Sequence, residues 1–384
     1  MKNLFLFLII FLTSAIYSFA EASAPDTTAL QKGNIKLKKG DYMGALKEYD
    51  EHLANDPKNI EALFNRAVAK NELGDHEAAI DDFTRVLEIN QNYHKAYVKR
   101  GIAREQMGDQ RAAIEDFSKA LIHNPKDGEA LLHRAHQKYL LSDYSGAIKD
   151  YTTLIDNNLG HNFESYYKRG IAKNEYGKYT DAIADFTKVI ELYPKYNYAY
   201  FYRGWAKNHI GEYKSAIDDF TKVISLDPKD KFSYYNRAYS KRMIKDYEGA
   251  ELDYKKSIDI DPKFEESYYQ LAELYIEEGN FDDAIETFNK VIEIYPKHKE
   301  GYFNRGSFYL ELGKGPLALA DFNKVIELSP KDKEAYYFRG IAHAQVNKNS
   351  EACLDLKQAD ALGEKRAADM MKKVCGRDVP NFIK

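Results

Sequence analysis

Residues 163–196 read FESYYKRGIAKNEYGKYTDAIADFTKVIELYPKY, and this stretch decides the fold. Ser165 to Tyr176 sets Tyr166, Gly170 and Asn174 one helical turn apart, so the spacing predicts a first helix. Gly177 closes it, because glycine enters the left-handed backbone of a helix C-terminus without a steric penalty. Thr180 to Leu192 predicts a second, amphipathic helix with Ile183, Phe186, Val189 and Ile190 inward. Pro194 stops it, since proline cannot continue a helix.

The pattern recurs in register every 34 residues from Asp26 to Arg366, with one extra residue near Asn162. Its most constant marker is an alanine in the second helix: Ala45, Ala79, Ala113, Ala147, Ala182, Ala216, Ala250, Ala284, Ala318 and Ala352. Four residues later comes a large apolar side chain, from Tyr49 and Phe83 through Phe186 and Phe220 to Leu356. The first helix carries glycine at 33, 101, 170, 204, 306 and 340 and alanine at 67, 135, 238 and 272, where only a small side chain lets two helices approach. Such a period implies a solenoid whose repeats bury their apolar faces by stacking on their neighbours. The expected fold is all-α, about ten helix-turn-helix repeats and a C-terminal capping helix. Solenoids offer long surfaces, so binding is expected before catalysis.

Small residue, glycine turn, tyrosine or phenylalanine, alanine, aromatic and proline at this spacing resemble the tetratricopeptide repeat family over about nine-tenths of the chain. The resemblance implies a right-handed superhelix whose first helices line a concave groove; together with the N-terminal segment read below, the chain looks like a secreted or periplasmic bacterial member of the family.

Arginine precedes the small residue at 66, 100, 134, 169, 203, 237, 305 and 339, and aspartate precedes the second-helix aromatic at 82, 116, 150, 185, 219, 253, 321 and 355. The first repeat has Lys32 and Glu48 instead; the eighth lacks both, with Leu271 and Thr287. Joint loss predicts that the two residues meet within one repeat. In the first seven repeats a further cation stands four residues on (Lys36, Lys70, Arg104, Lys138, Lys173, Lys207 and Lys241), and in the eighth repeat this becomes Tyr275. A basic ladder for an anionic ligand and a structural ion-pair row both fit this pattern. The matching carboxylates favour the row, because unpaired buried charge is costly.

Carried onto this chain, the resemblance places Tyr167, Phe201, Tyr235, Tyr269, Phe303 and Tyr337 along the groove, with Trp205 and Tyr239 one turn on and Asn208, His209 and Arg242 flanking. The first row has no lysine, which speaks against a clamp for a C-terminal carboxylate. Aromatic anchors suit a peptide or protein segment. The alternatives are rings that only pack against neighbouring helices, and a carbohydrate- or peptidoglycan-binding role.

The net charge of -4 and the mixed 30% of charged residues give no case for nucleic acid. Walker A, GxGxxG, HExxH, CxxC and GxSxG motifs are absent, no cofactor is expected, and no carboxylate pair stands out from the repeat, so no enzyme is expected. His133 and His136 share a helix face, but no third metal ligand lies nearby in sequence.

Residues 1–20 read as a secretory signal, with Lys2, an apolar run from Leu4 to Ile16 and a small-x-small site at Ser18-Phe19-Ala20, cleaved after Ala20. An uncleaved anchor is the alternative, though the run is short for a membrane span. The mature chain is thus expected in the periplasm or outside the cell, with no membrane span. A short linker (21–25), the array (26–366, with a kink expected near 157–162), a capping helix (364–377) and a tail (378–384) follow. On an oxidising route Cys353 and Cys375 are expected to form a disulfide across the cap; free thiols are the alternative.

Overall fold

In a computed structural model of the chain, the described residues are 28–160 and 162–376. The signal segment 1–20, the linker 21–25 and the tail 378–384 lie outside them. The described residues contain helices and turns and no strand. The chain divides into two compact units between Leu192 and Tyr193.

The N-terminal unit holds five helical hairpins: α1 (Ala29–Lys38) with α2 (Tyr42–Asn55), α3 (Ile60–Glu72) with α4 (His76–Ile89), α5 (His94–Gln106) with α6 (Gln110–His123), α7 (Gly128–Leu140) with α8 (Tyr144–Asp156), and α9 (Asn162–Glu175) with α10 (Tyr179–Leu192). The C-terminal unit holds five more: α11 (Asn197–His209) with α12 (Tyr213–Leu226), α13 (Lys231–Met243) with α14 (Tyr247–Ile260), α15 (Glu265–Glu278) with α16 (Phe281–Ile294), α17 (Lys299–Glu311) with α18 (Gly315–Leu328), and α19 (Lys333–Gln345) with α20 (Asn349–Ala361). The cap, α21 (Ala367–Val374), packs on α20.

Local chemistry sets the boundaries. Asp41, Asp75, Asp109, Asp143 and Asp246 each accept a backbone N–H three residues on, satisfying an orphan donor at the start of a second helix. Gly177 takes φ +77°, as the turn requires. At Gly170 the close approach is direct: an added Cβ would lie 2.8 Å from the Phe186 ring. All ten marker alanines are fully buried, and the large apolar residues four positions on form the core behind them. Each such side chain stabilises its repeat by about 1.5–3 kcal/mol through burial. Within each unit, successive hairpins pack second helix on first helix, and the first helices of neighbouring repeats also touch, as in α3 with α5 and α11 with α13.

Some details differ from the sequence expectation. The cap begins at Ala367, because Glu364 folds back to accept the Arg366 backbone N–H and guanidinium, which delays the helix start. In the first repeat the cation on Glu48 is Lys36, not Lys32, at 2.6 Å. After α8 the backbone turns through Asn158 (φ +50°) and Gly160 (φ +86°), and α8 and α9 pack on each other.

Candidate interaction groove

The arginine and aspartate rows meet as the pattern predicts. Every pair lies within one repeat and is bidentate, as in Arg169 Nε to Asp185 Oδ2 at 2.9 Å and Nη2 to Oδ1 at 2.7 Å. The cation four residues on reaches the same carboxylate: Lys173 to Asp185 and Lys207 to Asp219, each at 2.8 Å. Burial alone would push the Asp82 carboxyl up, but hydrogen bonds from Arg66 and Lys70 hold it below its ordinary value. The would-be basic ladder is therefore neutralised from inside, and the ion-pair row is structural.

The third arm of the fork was not foreseen. Arg100 Nη1 donates to Thr84 Oγ1 of the preceding repeat, Arg134 to Ser118, Arg237 to Thr221 and Arg305 to Asn289. Each of these guanidinium groups thus joins two repeats. The signal was legible: a polar residue directly follows the second-helix aromatic. Lys255 breaks that pattern one repeat before Leu271 replaces the arginine. It pairs with Glu251 and lies over the Tyr275 ring, while Tyr275 donates to Glu251 and Leu271 is buried. This exchanged seam leaves a cavity of about 580 Å³ between α14, α15 and α16.

The aromatic row is anchored by its edges. Phe201 stands edge-on to Phe220 (centroids 5.8 Å), Tyr235 to Tyr254 (6.0 Å) and Phe303 to Phe322 (5.8 Å), so each ring is half-buried against its own repeat. Tyr167 packs in the same way on Phe186 and belongs to the N-terminal unit. Burial pushes the Tyr269 phenol up, and its hydroxyl is enclosed without a hydrogen-bond partner. Trp205 and Tyr239 take equivalent, half-buried places on α11 and α13. Exposed His209 lies against Trp205, with ring centroids 3.8 Å apart and Nδ1 2.9 Å from the Trp205 carbonyl oxygen.

Three flanking or terminal choices need correction. Tyr337 is only 9% exposed and lies under the Arg366 guanidinium, so it belongs to the cap core. Arg242 is clamped by Gln270, Glu273 and Glu277 of α15, with Nη2 2.6 Å from Glu277, and is not a free groove cation. Asn208 is buried; its Oδ1 accepts from Ser240 at 2.7 Å, while its Nδ2 is enclosed without a partner. These contacts run between consecutive repeats or from the last repeat to the cap, and spacing within one repeat does not show them.

Two aromatic positions escaped the sequence reading. Tyr198 and Phe232, 56% and 47% exposed, stand where seven other repeats place glutamate or lysine. With Phe201, Tyr202, Asp227 and Asp230 they line a cavity of about 360 Å³ between the starts of α11 and α13. In the N-terminal unit, His133 and His136 converge on Glu105, with His133 Nδ1 2.6 Å from its carboxylate, and Gln137 donates to the same group. Among the described residues no three His, Cys, Asp or Glu side chains are grouped to hold a metal. Cys353 and Cys375 form a disulfide, Cα–Cα 5.7 Å, that ties α20 to the end of α21. No helix among the described residues is long and apolar enough to cross a membrane.

Paired helices recurring every 34 residues, with buried alanine and aromatic markers, define a helical-repeat solenoid. The chain belongs to the tetratricopeptide repeat family: models of that repeat match residues 60–93, 94–126, 167–231, 245–302 and 300–332. Among solved structures, the C-terminal part of a repeat-containing protein from Cytophaga hutchinsonii aligns at 19% identity and TM-score 0.53, over 62% of this chain and 97% of that one. Yeast Tom70 aligns at 19% identity and TM-score 0.47, over 90% and 87%. YrrB, described as a repeat protein with an unusual peptide-binding site, aligns at 21% identity and TM-score 0.40, over 49% and 97%. No curated protein matches the chain in sequence.

Proposed function

We propose that the chain is a non-enzymatic scaffold that binds a peptide or protein segment along the first helices of its C-terminal unit. The observation that carries this is the aromatic concentration on α11 and α13. Tyr198, Phe201, Tyr202 and Trp205 stand on α11, and Phe232, Tyr235 and Tyr239, the repeat equivalents of Tyr198, Phe201 and Trp205, stand on α13, which touches it. Rings held at one edge and open at the other supply large contact area at low entropic cost, which is the character of interface anchors. Arg242 and its carboxylates form a rigid polar border beside them.

The signal-like segment and the cap disulfide support placement in the periplasm or outside the cell, where the disulfide persists. The test is capture of partners from an envelope fraction by the full chain and by a Trp205→Ala/Tyr239→Ala variant. Loss of specific partners with unchanged helical content is expected. Recovery of the same partners by the variant rules the groove out, and capture of glycan without protein favours a carbohydrate-binding role.

A further inference from the structure

The repeats supply their own comparison for the cavity between α11 and α13. One repeat later, the Lys231 ammonium lies 4.9 Å from the centroid of Phe232 and 4.7 Å from that of Phe264, with Asp261 Oδ2 at 2.5 Å. Two ring faces and a loop carboxylate thus hold an internal lysine. At the corresponding positions one repeat earlier, Tyr198 replaces Phe232, Asp230 replaces Phe264, Asp227 replaces Asp261, and Asn197 replaces the lysine. The earlier site keeps an aromatic wall and the loop carboxylate, gains a second carboxylate, and loses the internal cation.

The carboxylates there are held by short-range contacts alone. Asp227 accepts the Lys229 backbone N–H, and Asp230 accepts from Phe232 N–H and the Ser233 hydroxyl. Neither enters an ion pair among the described residues, and the cavity of about 360 Å³ has room for a long side chain. Two carboxylates beside π faces favour a cation, and an ammonium on a flexible stem is what the next repeat seats.

We propose that this cavity receives a lysine side chain from an extended segment of a partner protein, with Asp227 and Asp230 on its ammonium and Tyr198, Phe201, Tyr202 and Phe232 around its stem. This rests on the groove reading for its partner and adds the chemistry that partner must present.

The test uses the full chain and Nα-acetyl-lysine methylamide as probe, followed by saturation-transfer NMR beside the arginine and norleucine counterparts. The lysine probe is expected to exceed norleucine by about fivefold, a difference of the size that cation–π contact and partial ion pairing give. The excess is expected to vanish in Asn197→Lys, which installs the residue that the next repeat already tolerates, and in Asp227→Asn/Asp230→Asn. An excess that survives Asn197→Lys in a folded variant, or no excess over norleucine in the wild type, overturns the proposal; a larger arginine signal overturns the choice of lysine. The probe needs no partner, so the two readings fail separately. A failed probe with Trp205-dependent capture intact removes the lysine site alone, and failed capture with a bound probe removes the groove.

Discussion

Asp185 illustrates how much one carboxylate can hold in this chain. It is 3% exposed and receives two bonds from Arg169 and one from Lys173. Asp185→Ala strands both cations in a partly buried seam, and a loss of about 3 kcal/mol is expected in urea unfolding. Glycine is missing where the turn needs it at Lys245, which takes φ +66°. Lys245→Gly should stabilise the protein by about 0.5–1 kcal/mol, because the left-handed conformation costs a side-chain-bearing residue more than glycine loses in entropy. The ion-pair rows were readable because they recur and vanish together. The third arginine arm was not drawn from the same letters, although its acceptors recur as regularly, since a hydroxyl or amide after an aromatic has many other uses.

Helix pairs and their ends were legible to within a few residues, because alanine, glycine, aspartate and proline act locally. The cap shows where that ends. Its Ala367, Met370, Met371 and Val374 cover Tyr337, Phe338 and Leu356, and the helix start depends on how Glu364 holds Arg366. Reducing the Cys353–Cys375 bridge is expected to cost roughly 3 kcal/mol, read as a lower urea midpoint with dithiothreitol. Helices α5 and α7 are joined by Glu105, whose carboxyl is held down to about 2: burial pushes it up, but bonds from His133 and His136 lower it by more. A carboxylate depressed in the folded state stabilises it above the unfolded value near 4.5 and loses that contribution as pH falls toward 2. Glu105→Gln should therefore flatten the acid limb of stability between those values, measured by urea unfolding at several pH values.

Across the molecule, stability is expected to be a sum of repeat and neighbour terms. Hydrogen exchange on Asp185→Ala should quicken in the repeats beside it and leave the tenth repeat at its wild-type protection. The sequence by itself determined the all-α solenoid, the repeat register and the arginine–aspartate pairing, because these depend on residues at fixed spacing within one hairpin. Tertiary structure alone decided which aromatics remain available. Tyr337 is enclosed because the cap folds over it, Arg242 is neutralised because α15 lies beside α13, and the Tyr198–Phe232 cavity is lined jointly by the starts of α11 and α13 with Asp227 and Asp230. Exposure and partnership are set by what packs alongside, and a linear pattern carries that only where every repeat repeats it.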